Sequence, residues 1–121
     1  MAKAVHFEIG AVDTAAMVAF YKEALGWEIS SWGEGSDYWL AAAGQDEAPG
    51  IHGALMPRQY DQKVINTHDV ADLDAAIASV LAAGGARLTE PADIPGVGRH
   101  SYCADPEGTV FGLLQSAAQS G

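Results

Sequence analysis

The sequence predicts an α+β fold made of two βαβββ modules, and three observations predict it. The same order of strand-like and helix-like stretches occurs twice. Landmarks recur at a constant shift of 59 residues: Asp13 and Asp72 at helix starts, Gly26 and Gly85 at helix stops, Gly53 and Gly112 in the fourth strand of each module. Finally, Asp105-Pro106-Glu107-Gly108 is a strong turn signal between strand-forming residues. Pro106 presets φ, Gly108 accepts an unusual φ, and Asp105 can bond its own backbone downstream. The modules run from about 4 to 57 and from about 63 to 115 of a single 121-residue domain, and repetition of this kind implies two similar units.

Each element has its own signal. Val5-His6-Phe7-Glu8-Ile9 alternates as a half-buried strand does, with Val5, Phe7 and Ile9 on one face and His6 and Glu8 on the other. Asp13 or Thr14 can cap a helix by accepting orphan N–H bonds. Met17, Phe20, Tyr21, Ala24 and Leu25 follow at helical spacing, and Gly26 stops the helix. Strands are expected over 27–32, 37–43 and 51–56, the first two joined by the Gly33–Ser36 turn and the last two by a polar loop over 44–50. After a linker over 58–62, the pattern repeats with a strand over 63–67 and a helix opening at Ala71-Asp72-Leu73-Asp74. Leu73, Ile77, Val80 and Leu81 line one face of that helix, and Gly84-Gly85 closes it. A short strand over 86–89, a loop over 91–98 and the final hairpin complete the module; 116–121 reads as a polar tail.

Composition narrows the function. Six basic against sixteen acidic residues give a net charge of −10, which repels phosphate backbones and argues against nucleic acid as a partner. No apolar run reaches the length of a membrane span, and Met1-Ala2-Lys3-Ala4 lacks a signal peptide's apolar region. The single cysteine, Cys103, cannot form an internal bridge, which suits a reducing cytoplasm.

The chain resembles the vicinal oxygen chelate superfamily, the glyoxalase, bleomycin-resistance and extradiol dioxygenase group. The resemblance is carried by His6-Phe7-Glu8-Ile9, Phe20-Tyr21-Lys22-Glu23-Ala24-Leu25-Gly26-Trp27 and Asp72-Leu73-Asp74-Ala75-Ala76. Ile94-Pro95-Gly96-Val97-Gly98-Arg99 and Asp105-Pro106-Glu107-Gly108-Thr109-Val110-Phe111-Gly112 complete it. It implies paired modules whose eight strands curl into an open cup, a small-molecule ligand in that cup, and frequent homodimers. Metal-using relatives draw their ligands from the first and fourth strands of each module. Here those positions are His6, Gly53, Ile65 and Gly112, and only His6 offers a donor. Zn²⁺, for example, usually needs at least three protein ligands. The expectation is therefore no cofactor, and no divalent metal in the family manner.

Two functions stay open, beside a pure interaction module with a filled cup, which would leave His6 and Glu8 unexplained. One is a binding module that holds a small organic molecule, with Gly53, Ile65 and Gly112 leaving space where relatives place ligands. The other is an enzyme of the lyase, isomerase or dioxygenase kind, using His6 and Glu8 as acid–base groups or a metal held by His6 with His52 or His100. A desolvated Glu8 would have its pKa raised unless His6 charges to pair with it, and either outcome gives a group able to exchange a proton near neutrality. The rival reading of His6 and Glu8 is a purely structural pair. Trp32 and Tyr38 are candidates to stack on a flat ligand, whereas Trp39 and Trp27 read as packing. In a regular strand His52 points away from the ligand position at Gly53; the facings of His100 and Tyr102 are left open. Cys103 reads as inert packing.

Overall fold

The computed structural model describes residues 2–42 and 50–117. The loop expected over 44–50 and the tail beyond 117 thus lie, but for Gly50, outside the described residues. The chain divides into two compact units, His6–Ile65 and a second that joins the start of the chain, up to Val5, to the part from Asn66 onward.

The first unit contains most of β1 (Lys3–Ala11), α1 (Thr14–Leu25), β2 (Glu28–Ser31), β3 (Trp39–Ala42) and β4 (His52–Pro57). Its strand order is β2-β3-β4-β1, with β1 and β4 parallel. Asp13 caps α1 by accepting from Ala16 N at 3.1 Å, and Gly26 ends it at φ 70, a conformation that L side chains rarely adopt. Val18, Ile29, Ala41 and Leu55 form the core, with Met17, Tyr21, Trp27 and Trp39 packed against them. The helix therefore buries the 17/18/21 stripe. Phe20 and Leu25, expected on the inner face, are exposed. Trp27 stacks on Tyr21 with ring centroids 4.5 Å apart.

The second unit contains most of β5 (Val64–Asp69), from Asn66 on, with α2 (Leu73–Ala82), β6 (Ala86–Arg87), β7 (Ala92–Ile94), β8 (Gly98–Ala104) and β9 (Val110–Ser116). Its order is β5-β9-β8-β6, with β7 paired to β8. Asp72 caps α2 through Ala75 N. Val70, Leu73, Ile77, Cys103 and Leu113 make its core, while Leu81 is exposed. The final hairpin has the expected turn: Gly108 N donates to the Asp105 carbonyl at 2.9 Å, and the Asp105 carboxylate accepts from Glu107 N and Thr109 N. β7 corrects the loop expected over 91–98. Pro95 and Gly96 (φ +76) sit inside an Ile94–Val97 turn closed by Val97 N to the Ile94 carbonyl. Pro followed by Gly at a turn's centre makes a type II turn, so these residues join two strands.

The 59-residue shift holds only as far as the helix caps. The left-handed glycine after α2 is Gly84 (φ +98), not Gly85, which puts it 58 residues beyond Gly26. The slip persists. In the first unit His6 pairs with His52 and Phe7 with Gly53; in the second Asn66 pairs with Phe111 and Thr67 with Gly112. Gly53 thus corresponds to Phe111, and Gly112 corresponds to Ala54.

Candidate functional site

In the first unit, Ile9, Leu55, Ala41 and Trp39 face α1. Side chains alternate along a strand, so His6 and Glu8 of β1, His52 and Ala54 of β4 and Leu40 of β3 share the opposite face. Two expectations are corrected here. His52 lies on the face of His6, its direct partner across the ladder. Gly53 lies on the helix face, where a Cβ would stand 2.1 Å from the Phe7 ring. Gly53 makes room for Phe7, which packs in turn on Trp27 at 5.7 Å; it lines no ligand space on the His6 face.

A hydrogen-bonded row occupies that face. Glu8 is 5% exposed. The Tyr38 hydroxyl donates to Glu8 Oε2 at 2.6 Å, and His6 Nε2 lies 3.1 Å from the same hydroxyl. A phenol has one proton. With that proton given to Glu8, His6 Nε2–H is the donor to Tyr38 Oη, and in the neutral ring Nδ1 carries no proton. Burial pushes the His6 imidazole below its ordinary range; the Glu8 carboxylate opposes this and His52 adds to it. Burial thus outweighs Glu8 here and favours the neutral imidazole. Burial, then the nearby Glu8 carboxylate, raises the Tyr60 phenol. Tyr60 is the member of this neighbourhood that sequence reasoning missed. It sits in the polar stretch after β4, where neither periodicity nor a motif marks it. Trp32 meets Tyr38 edge-on at 6.4 Å and is 47% exposed.

In the second unit, Cys103 and Leu113 face α2, so Tyr102 and Gly112, paired across β8 and β9, take the other face with His100 and Leu114. Thr67 pairs with Gly112; Ile65, the last residue of the first unit, precedes Thr67 by two along β5 and takes the same side of that strand. His100 and Tyr102 meet edge-on at 4.5 Å. The structure thus groups His6, Glu8, His52 and Tyr38 in one unit, and His100, Tyr102, Gly112 and Thr67 in the other. Cys103 is fully buried, and burial raises its thiol, more than Ser101 and Arg87 lower it. That is the environment of an inert cysteine.

Of the four positions singled out for metal ligands, His6 alone carries a side-chain donor. Gly53 is under Phe7, Ile65 is hydrocarbon, Gly112 has no side chain, and Ala54, which the register puts in Gly53's place, has no donor either. Among the described residues, no group of three His, Cys, Asp or Glu side chains is placed to hold a metal.

This architecture is the glyoxalase/bleomycin resistance/dioxygenase fold. A superfamily member from Vibrio splendidus matches with a TM-score of 0.69 at 16% identity, over 96% of this chain and 100% of that one. A methylmalonyl-CoA epimerase variant from Streptomyces coelicolor, solved with 2-nitronate-propionyl-CoA, matches at 0.67 and 21% identity, over 96% and 95%. Within that superfamily the chain belongs to the glyoxalase-like domain family, whose model matches residues 5–114. It is 38% identical over 104 residues to a Mycobacterium tuberculosis protein named "Putative glyoxylase CFP32", an alignment covering 84% of this chain and 40% of that one. The chain thus spans less than half the length of this relative. No helix among the described residues is long and apolar enough to cross a membrane.

Proposed function

We propose that the chain binds a small organic molecule on the His6–Glu8 face of its first unit, without a divalent metal. The observation that carries this reading is the buried Glu8 carboxylate tied through Tyr38 to a neutral His6. A polar row on an otherwise apolar sheet face, beside Ala54 and Leu40, orients a ligand while the hydrocarbon around it supplies affinity. The resemblance that suggested the site also carries the expectation of a homodimer, which light scattering on purified protein checks, while the lone Cys103 carries that of a cytoplasmic location.

Thermal unfolding with methylmalonyl-CoA, bleomycin and a set of small aromatic acids and alcohols tests the reading. A ligand at a hundred times its Kd stabilises by about 2.7 kcal/mol, a readily measured rise in Tm. A compound that binds is expected to lose about 10-fold or more in affinity with Glu8→Gln or Tyr38→Phe, since bonds to charged groups contribute about 1.5–3 kcal/mol. Binding unchanged in both variants and in His6→Ala removes the anchor. Stoichiometric Zn²⁺, Ni²⁺, Mn²⁺ or Fe²⁺ in protein purified without chelator overturns the metal-free part.

One observation favours a second reading, an acid–base lyase or isomerase. A neutral His6 with Nδ1 unprotonated can take a proton from a ligand, and Tyr38 then links the imidazolium to Glu8. Exchange of a ligand C–H for deuterium, lost in His6→Gln, marks this reading.

A further inference from the structure

The chain after β4 folds back over the face that carries Glu8. Glu8 and Gly10 are two apart in β1, and the unbroken register from His6 to Ala11 puts them on one side. A Cβ built at Gly10 would stand 3.2 Å from both Cα and Cγ of Arg58, so the arginine stem lies flat across β1 on that side. Arg58 N donates to the Ala11 carbonyl at 3.0 Å, and Arg58 Nε donates to the Gly10 carbonyl at 3.1 Å. The far end of the segment is tied to the same place, where Gly10 N donates to the Lys63 carbonyl at 2.7 Å. Between these ties Tyr60 comes near enough for the Glu8 carboxylate to raise its phenol. Arg58 is exposed, and holding such a side chain in one place costs entropy. Yet only its Nε is bonded; Nη1 and Nη2 meet no acceptor among the described residues.

We propose that the Nη1–Nη2 edge of Arg58 binds a carboxylate of the ligand, at the Gly10 end of the His6–Glu8 row. The two parts of the face complement each other. The row is built of acceptors, the Glu8 carboxylate and the unprotonated His6 Nδ1, so it selects hydrogen-bond donors and repels anions. Arg58 has only donors, and its planar fork matches the two oxygens of a carboxylate. Two residues along a strand span about 7 Å. The ligand class is therefore a small organic acid whose hydroxyl or N–H lies about that far from its carboxylate. A dianionic phosphate fits less well, since Glu8 and nearby Asp61 repel it in proportion to its charge. This assignment rests on the binding function proposed above and names its ligand class.

Calorimetry on the full chain compares 4-hydroxyphenylacetate with 4-hydroxyphenylacetamide, which differ only in the charged group. The acid is expected to bind about 10-fold or more tightly than the amide, as charge-assisted bonds do. Arg58→Gln should bring the acid down to the level of the amide and leave the amide unchanged, which also shows that the variant folds. In the native chain, where no variant has to fold, the acid should shift the Arg58 Nε–H NMR signal saturably and the amide should not. Failure of the acid to bind, equal affinity for the two probes, a preference that survives Arg58→Gln, or an unmoved Arg58 signal overturns the proposal. Tighter binding of 4-hydroxybenzylphosphonate overturns the choice of a carboxylate. Glu8→Gln separates this proposal from the one it rests on. A preference abolished by Arg58→Gln, with affinity unchanged in Glu8→Gln, leaves the arginine and removes the Glu8 anchor. Equal native affinities that fall together in Glu8→Gln leave the anchor and remove the arginine.

Discussion

The two units lay one topology over two chemistries. On the face away from the helix, β1 and β4 carry His6, Glu8 and His52; β5 and β9 carry Ile65, Thr67 and Val110 at the corresponding places. β1 and β4, bonded to Tyr38, thus carry an imidazole–phenol–carboxylate row, whereas at these places β5 and β9 carry the Thr67 hydroxyl amid hydrocarbon, with Asp69 and Ser116 polar at the strand ends. The helix-facing sides are alike, with Leu55 in one core and Leu73 and Leu113 in the other. Packing repeats because each sheet must bury one face against a helix. The other face is free to differ.

Substitutions can break this comparison at several depths. The largest effects belong to the shared design. Leu55→Ala and Leu73→Ala, both fully buried, should each cost about 2–5 kcal/mol in denaturant unfolding; a cost confined to one would mean that the cores are not equivalent. The two glycines should part company next. Gly53→Ala drives a methyl into the Phe7 ring and should destabilise by about 1–3 kcal/mol, while Gly112→Ala meets only Thr67 and the tip of His100 and should cost less. A larger loss at Gly112 contradicts the different roles given to them. Removing the caps, Asp13→Ala or Asp72→Ala, should cost about 1 kcal/mol in either unit, a matched control read from Tm.

The smallest effect is on titration. Burial lowers the His6 pKa below its ordinary value of 6.5, so between the two values the unfolded chain binds more protons. His6 therefore contributes stability that is present above the unfolded value and lost as pH falls through the folded one. His6→Gln should flatten that part of the pH–stability curve. By NMR, His6 should titrate below the ordinary range, closer to it in His52→Ala and farther below it in Glu8→Gln. A His6 that titrates above the ordinary range sinks the neutral-imidazole account.

Much of this was legible before any coordinates. Alternation placed His6 and Glu8 opposite Phe7 and Ile9, and both aspartate caps stood out, because strand period and capping are local properties. Register is not local. Gly53 and Gly112 look equivalent by count, yet one residue fewer around the second helix reverses which side of the sheet each meets. The Tyr38–Glu8 bond spans 30 residues, and no spacing rule predicts it. Pro95-Gly96 read as a loop because turn residues are the same whether a turn connects strands or wanders; only the pairing of Ala92–Ile94 with β8 decides.

The one-residue slip also limits how the halves can be exchanged. A chimera that places β9 where β4 stands must be spliced at a spacing of 58 to keep each side chain on its face, and because Phe111 then falls at Gly53, where the Phe7 ring leaves no room for a Cβ, it also needs Phe7→Asn, the residue type that stands opposite Phe111 in β5. Cut at 59, the same strand would set that phenyl ring against His6 and present Gly112 to Phe7, turning the sheet inside out with every residue type unchanged.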